Sequence, residues 1–198
     1  MTQNDIRRPG VTEHERTGEQ SLRHRREFAA PASAVQRAHI DRELFVRWMG
    51  PRGTTVRLDR FDAVTGGAFR YVVEAPNGDG WAFRGAYHEV SDGLIVHTWE
   101  YEGEPGTTLE ELRFVDLADG RSVLDVTSTY TSKEACDAML ASGMDAGMDG
   151  STGAGAGAGA WNCGWGGRAS TIFFLNGHLN HLLGSRPSDF GTFTGVSR

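Results

Sequence analysis

Six segments rich in aromatic and β-branched residues follow one another from Thr54 to Tyr130, and no other feature constrains the fold as strongly. A short turn sequence separates each segment from the next, and the turns combine glycine with aspartate, asparagine, threonine or proline. Strands joined by tight turns predict an antiparallel meander. The predicted strands are TTVRLDRF (54–61), AFRYVVEA (68–75), WAFRGAYHEV (81–90), GLIVHTWEY (93–101), TLEELRFVDL (108–117) and RSVLDVTSTY (121–130).

Further elements flank this meander on both sides. Residues 21–30 alternate like a half-buried strand, and Pro31 and Asp41 mark the starts of two short helices. After the meander, residues 132–144 change to helical spacing, with Ser132 as the predicted N-cap. We therefore predict an α+β helix-grip fold: a curved antiparallel sheet of about seven strands wrapped around a C-terminal helix, with two short helices after strand one.

Charge and cysteine content argue against several classes of protein. The chain has 198 residues and a net charge of -6, so it lacks the basic field on which non-specific nucleic-acid binding depends. Cys136 and Cys163 form no CxxC pair, which argues against a disulfide framework or a structural zinc site and favours a cytoplasmic location. The sequence contains no signal-peptide pattern and no run of about 18 apolar residues, so we expect no membrane span.

The order of these elements resembles the START-like, or SRPBCC, superfamily, and within it the branch named after the activator of the heat-shock chaperone ATPase. The resemblance extends over residues 21–149. The matching pieces are REFAAP (26–31), ELFVRWMGPRG (43–53), DRFDAVTGGAFRY (59–71), WAFRGAYHEV (81–90), GLIVHTWEYEGEPG (93–106) and SKEACDAMLASGMDAGM (132–148). It implies a cavity between the sheet and the C-terminal helix, which superfamily members use for lipids, polyketides or other hydrophobic molecules. Only some members are enzymes.

The chain departs from this family after residue 148. Residues 153–160 alternate glycine and alanine, and each interior glycine costs a helix about 1 kcal/mol relative to alanine. We therefore predict a shortened C-terminal helix, which leaves the cavity more open or covered by the segment that follows. The predicted divisions are a disordered leader (1–20), an SRPBCC domain (21–149), a Gly/Ala-rich linker (150–169), an extra helix (170–184) and a coil tail (185–198).

The predicted extra helix weakly resembles one helix of the DinB-like four-helix family, which binds metal through histidines. His178 and His181 are three residues apart and share a helix face. A complete site needs further ligands, and the tail offers only Cys163 and Asp189, so we predict no metal site. A fusion remnant or an altered reading frame would explain such a tail.

Large side chains on the inward faces of the predicted sheet and helix define a candidate ligand site. Aromatic residues and methionines can line an apolar cavity, although the same residues can simply fill the core. The predicted ligand-binding residues are Trp48, Phe69, Tyr71, Phe83, Tyr87, Trp99, Leu112, Phe114, Leu124, Met139 and Met144.

These observations predict a non-catalytic domain that binds a hydrophobic small molecule between sheet and helix and uses no cofactor. His97 and Glu100 share a predicted strand, but no nucleophile motif or phosphate loop accompanies them, so we predict no catalytic residues. Two alternatives remain open. One is a protein-interaction module acting on a chaperone ATPase or another protein, which the resemblance alone implies. The other is a cavity enzyme of cyclase or hydrolase type that depends on His97 or Tyr87.

Overall fold

The computed structural model describes residues 12–50 and 53–141. The predicted linker, extra helix and coil tail lie outside the described residues, as do Met144, His178 and His181. The described elements are β1 (Thr12–Arg16), β2 (Ser21–Phe28), α1 (Ala32–Ile40), α2 (Arg42–Trp48), β3 (Thr55–Phe61), β4 (Ala68–Glu74), β5 (Gly80–Ser91), β6 (Leu94–Tyr101), β7 (Thr107–Asp116), a single 3-10 turn (Ala118–Gly120), β8 (Ser122–Thr129) and α3 (Lys133–Ala141).

One antiparallel sheet of eight strands contains all the strands of the described region, in the order β1-β2-β8-β7-β6-β5-β4-β3. Each strand from β3 to β8 pairs with the next, so the predicted meander is confirmed. β2 returns to pair with β8 along its whole length, from Ser21 opposite Thr129 to Phe28 opposite Ser122. The sheet, two short helices after β2 and a helix after β8 confirm the α+β helix-grip class.

β1 is the strand that the sequence did not indicate. Residues 1–20 are predicted as a disordered leader, but Thr12–Arg16 pairs with β2. The prediction is therefore wrong for this segment, and the sheet gains one strand. The reason is chemical: β1 is held by polar contacts, since Arg26 donates to the Thr12 hydroxyl at 2.9 Å and the Nδ1 atoms of His14 and His24 lie 2.6 Å apart. A strand without apolar alternation gives no hydrophobic signal.

Local side chains fix where the helices begin. Pro31 precedes α1 in an extended conformation, and the Asp41 carboxylate accepts hydrogen bonds from the backbone N–H groups of Glu43 and Leu44 at the start of α2. The Ser132 hydroxyl accepts from the N–H of Ala135 at 3.1 Å, so the predicted N-cap of α3 is confirmed.

Strand alternation divides the sheet into a buried face and a charged face. On β4, Phe69 and Tyr71 are buried, whereas Arg70 between them pairs with Glu102 across the outer face. Gly85 lies opposite Phe69 on β5, and a side chain there would collide with the Phe69 ring and the Thr98 carbonyl oxygen. The large ring therefore occupies the space that glycine leaves.

Candidate functional site

The predicted ligand-binding residues are buried wherever the structure describes them. All are at most 5% exposed, and they contribute to one continuous apolar core with α1 and α2. Met144 lies outside the described residues. The buried residues are Trp48, Phe69, Tyr71, Phe83, Tyr87, Trp99, Leu112, Phe114, Leu124 and Met139.

A small cavity, here called the inner cavity, lies in this core. Its volume is about 20 Å³, which is room for one water-sized group and far below that of a typical ligand site. The core is therefore much more filled than the expected hollow. Of the predicted residues, Phe69, Tyr71, Tyr87 and Leu112 line the inner cavity. The residues of its wall that sequence reasoning missed are His39, Phe45, Met49 and Ile95; His97, which the sequence suggested only for the alternative enzyme, also lines it.

A buried histidine and carboxylate meet at one side of this cavity. His97 on β6 faces Glu110 on β7, and His97 Nε2 lies 3.2 Å from Glu110 Oε2. The Glu110 side chain is completely buried, and the Ser128 hydroxyl lies 3.3 Å from its second oxygen. Alternation on β7 puts Glu110 on the same face as Leu112 and Phe114. An acidic residue on an inward strand face was the signal that could have revealed it.

His39 brings a second imidazole to the cavity from α1. It is 4% exposed, and its Nδ1 lies 2.8 Å from the carbonyl oxygen of Val35. The ring packs edge-on against Phe114 and contacts Trp48. Burial lowers the pKa of His39 from 6.5 to about 4, so the ring is neutral at physiological pH.

A larger open groove, here called the α3 groove, lies on the other side of Trp99. Its volume is about 440 Å³, and it opens between the β6–β7 turn and α3. The Trp99 indole donates to the Tyr71 hydroxyl at 3.3 Å, and Tyr71 lines the inner cavity, so this hydrogen bond links the linings of the two spaces. The lining residues of the α3 groove are Trp99, Tyr101, Glu104, Pro105, Gly106, Thr107, Thr108, Tyr130, Thr131, Glu134, Ala135 and Met139.

The structure thus distributes the predicted residues between two spaces. Trp99 and Met139 line the α3 groove. The remaining described residues of the set lie in the core and line neither space: Trp48, Phe83, Phe114 and Leu124.

Glu100 does not pair with His97, although both lie on β6. Its carboxylate instead binds Thr107 and Arg84, at 2.7 and 2.8 Å, and these two hydrogen bonds hold the pKa of Glu100 below its usual range. His97 and Glu100 are three positions apart on β6. Residues an odd number of positions apart on a strand point to opposite faces of the sheet, so these two side chains do not meet.

Two further features limit the chemistry of the described region. No cluster of three or more His, Cys, Asp or Glu side chains suited to a metal ion occurs within residues 12–50 and 53–141. Cys136 on α3 is buried, and burial raises the pKa of its thiol.

The helices within residues 12–50 and 53–141 are all too short or too polar to cross a bilayer.

Comparison with known families assigns this architecture. Residues 29–153 match the model of the family described as activator of Hsp90 ATPase homolog 1-like protein. The chain belongs to this family. The match confirms the SRPBCC superfamily and the branch that the sequence resembles, and it supports a domain that binds ligands or interacts with partners in general.

Solved structures show the same fold. A crystal structure of a protein from Rhodobacter sphaeroides is 26% identical, with a TM-score of 0.62 over 68% of this chain and 89% of that one. A protein from Chromobacterium violaceum is also 26% identical, with a TM-score of 0.53 over 58% of this chain and 82% of that one. An NMR structure from Staphylococcus epidermidis is 20% identical and has a TM-score of 0.62 over 92% and 98% of the two chains. No curated protein matches the sequence significantly.

Proposed function

We propose that this sheet and its helices form a non-catalytic binding domain that holds a hydrophobic small molecule in the α3 groove. The observation that carries this proposal is the size of the groove. Its volume of about 440 Å³ falls within the range of about 300–1,000 Å³ that small-molecule sites occupy. The inner cavity, at about 20 Å³, is too small to hold such a molecule by itself.

The chemistry of the α3 groove favours an apolar ligand. Trp99, Tyr130 and Met139 are each at most 5% exposed, so they provide an apolar base between the sheet and α3. Methionine adapts its shape to different ligands, and tryptophan offers a large flat face. The polar groups of the site, such as Thr107 and Thr108, lie on the neighbouring strand β7 and can orient a bound molecule.

Charge at the same groove favours an uncharged ligand over a fatty acid. Glu104 and Glu134 both line it. Hydrogen bonds, first from its own backbone N–H and then from Ser132, lower the pKa of Glu134, so this carboxylate is ionised at neutral pH. A ligand carboxylate in the groove would be repelled by these like charges.

The decisive experiment blocks the α3 groove with a bulkier side chain on α3. Ala135 on α3 lines the groove, whereas Ala138 on the same helix does not. We expect uncharged aromatic compounds to raise the melting temperature of the wild-type protein and to bind measurably in calorimetry. Ala135→Phe should abolish binding, and Ala138→Phe should retain it.

Two results would contradict this proposal. One is the failure of every uncharged apolar compound in the panel to bind or to stabilise the wild-type protein. The other is equal binding by the Ala135→Phe and Ala138→Phe variants, which would move the ligand away from the α3 groove.

A further inference from the structure

His39, in the wall of the inner cavity, has its tautomer fixed by a backbone hydrogen bond. His39 Nδ1 lies 2.8 Å from the Val35 carbonyl oxygen, and a carbonyl can only accept, so Nδ1 carries the proton. His39 Nε2 is therefore a lone-pair acceptor. It is buried and has no hydrogen-bond partner among the described residues. A buried acceptor in an aromatic cavity needs a donor to offset the loss of its hydration.

The ring of His97 adds further unsatisfied nitrogens to the same cavity. Its Nε2 lies 3.2 Å from Glu110 Oε2 but outside hydrogen-bonding geometry. The other ring nitrogen, Nδ1, is buried without a hydrogen-bond partner in the described part of the chain. The ring itself is held between Phe69 and Tyr87, at centroid distances of 5.6 and 5.8 Å.

We infer that the inner cavity is a binding subsite for one hydroxyl group, which donates its hydrogen bond to His39. Its volume of about 20 Å³ accepts one oxygen-sized group and excludes a larger head. Methyl ethers and hydrocarbons fail the chemical requirement, since neither offers a hydrogen to the His39 acceptor.

The position of the subsite defines the class of ligand. This step rests on the proposed function, because the hydroxyl belongs to the molecule whose apolar body fills the α3 groove. Tyr71 lines the inner cavity and Trp99 lines the α3 groove, and their side chains are hydrogen-bonded to each other. A ligand that occupies both spaces must displace the Trp99 indole, which breaks that side-chain hydrogen bond. The ligand is thus an uncharged hydrophobic alcohol or phenol with its hydroxyl at one end.

The hydroxyl has two possible sources, a water molecule or the ligand, and a matched pair of compounds separates them. The probes are 2-naphthol, which can donate, and 2-methoxynaphthalene, which cannot. We expect wild-type protein to bind 2-naphthol about tenfold more tightly in calorimetry, as one net hydrogen bond requires. His39→Leu should lose this preference and retain binding of 2-methoxynaphthalene. His39→Gln, which keeps an acceptor, should restore part of the preference.

His24→Leu is the matched control. His24 is a histidine buried as completely as His39, but it does not line the inner cavity, so the tenfold preference should persist in this variant. If the variants do not fold, an NMR measurement on the wild-type protein still tests the inference. The ¹⁵N resonance of His39 Nε2 should shift when 2-naphthol is added and should not shift when 2-methoxynaphthalene is added.

The outcomes distinguish this inference from the function on which it rests. Equal affinity for the two compounds, or an unchanged preference in His39→Leu, overturns the hydroxyl subsite and leaves groove binding intact. In that case water alone occupies the cavity. Failure of both compounds to bind overturns the inference together with the proposed function.

Discussion

Acid should destabilise this domain through its buried histidines before its carboxylates are protonated. Burial lowers the pKa values of His24 and His39 from 6.5 to about 4. Between these two pKa values the unfolded chain binds protons that the folded chain refuses, so stability falls as pH decreases through 6.5. The loss is complete once the pH is below the folded pKa.

The structure gives the size of this effect for His39. The largest influence on its pKa is desolvation, followed by the raising effect of the Val35 carbonyl; His97 lowers the pKa further and Glu110 raises it slightly. A pH of about 5 is about 1.5 units below the pKa of histidine in the unfolded chain. Protonation of the unfolded chain then lowers the free energy of unfolding by about 2 kcal/mol for this one residue.

Urea denaturation at pH 7.5 and 5, in wild type and in His39→Leu, measures this contribution. Replacement removes the titrating group, so the decrease in unfolding free energy between the two pH values should be about 2 kcal/mol smaller in the variant. Loss of the hydrogen bond to Val35 shifts both measurements equally and cancels. His88→Leu, at an exposed position, should keep the wild-type decrease. An identical decrease in wild type and His39→Leu would refute the argument from burial.

Four further substitutions test the capping and packing that surround the site. Asp41→Ala removes the N-cap of α2 and should lower the unfolding free energy by about 1 kcal/mol in urea; an unchanged midpoint would contradict the capping role. Gly85→Ala forces a methyl group against the Thr98 carbonyl oxygen and the Phe69 ring and should cost about 1–3 kcal/mol, seen as a lower melting temperature; a neutral result would mean that both the β6 backbone and the ring move freely. Trp99→Phe and Tyr71→Phe each remove the same hydrogen bond, so Tyr71→Phe should cost about 1 kcal/mol and Trp99→Phe more, because it also removes part of a buried ring. The double variant should be less destabilised than the sum, and full additivity would show that the bond contributes nothing.

Local patterns were sufficient for most of the architecture. Aromatic and β-branched segments alternate with glycine-containing turns, and a turn of this kind allows only a neighbouring antiparallel strand, so the meander could be predicted. The helix starts could also be predicted, because each depends on one residue and those that follow it directly in the chain. These residues are Pro31, Asp41 and Ser132. β1 escaped prediction because polar partners on β2 hold it, and those partners are known only once the strands are paired.

The candidate site, like the fold, could be predicted only in part from the sequence. Strand parity and residue type predict the burial of the large apolar side chains within each element, but not that of His39 or Glu110. Only the tertiary structure decided that His97 meets Glu110 rather than Glu100, since that contact depends on the register between β6 and β7. It alone also decided that the core closes to an inner cavity of about 20 Å³ and leaves the larger space beside α3. The volume of a cavity is the small difference between the space that the backbone encloses and the volume of the side chains that fill it. Those side chains come from helices and strands far apart in the chain.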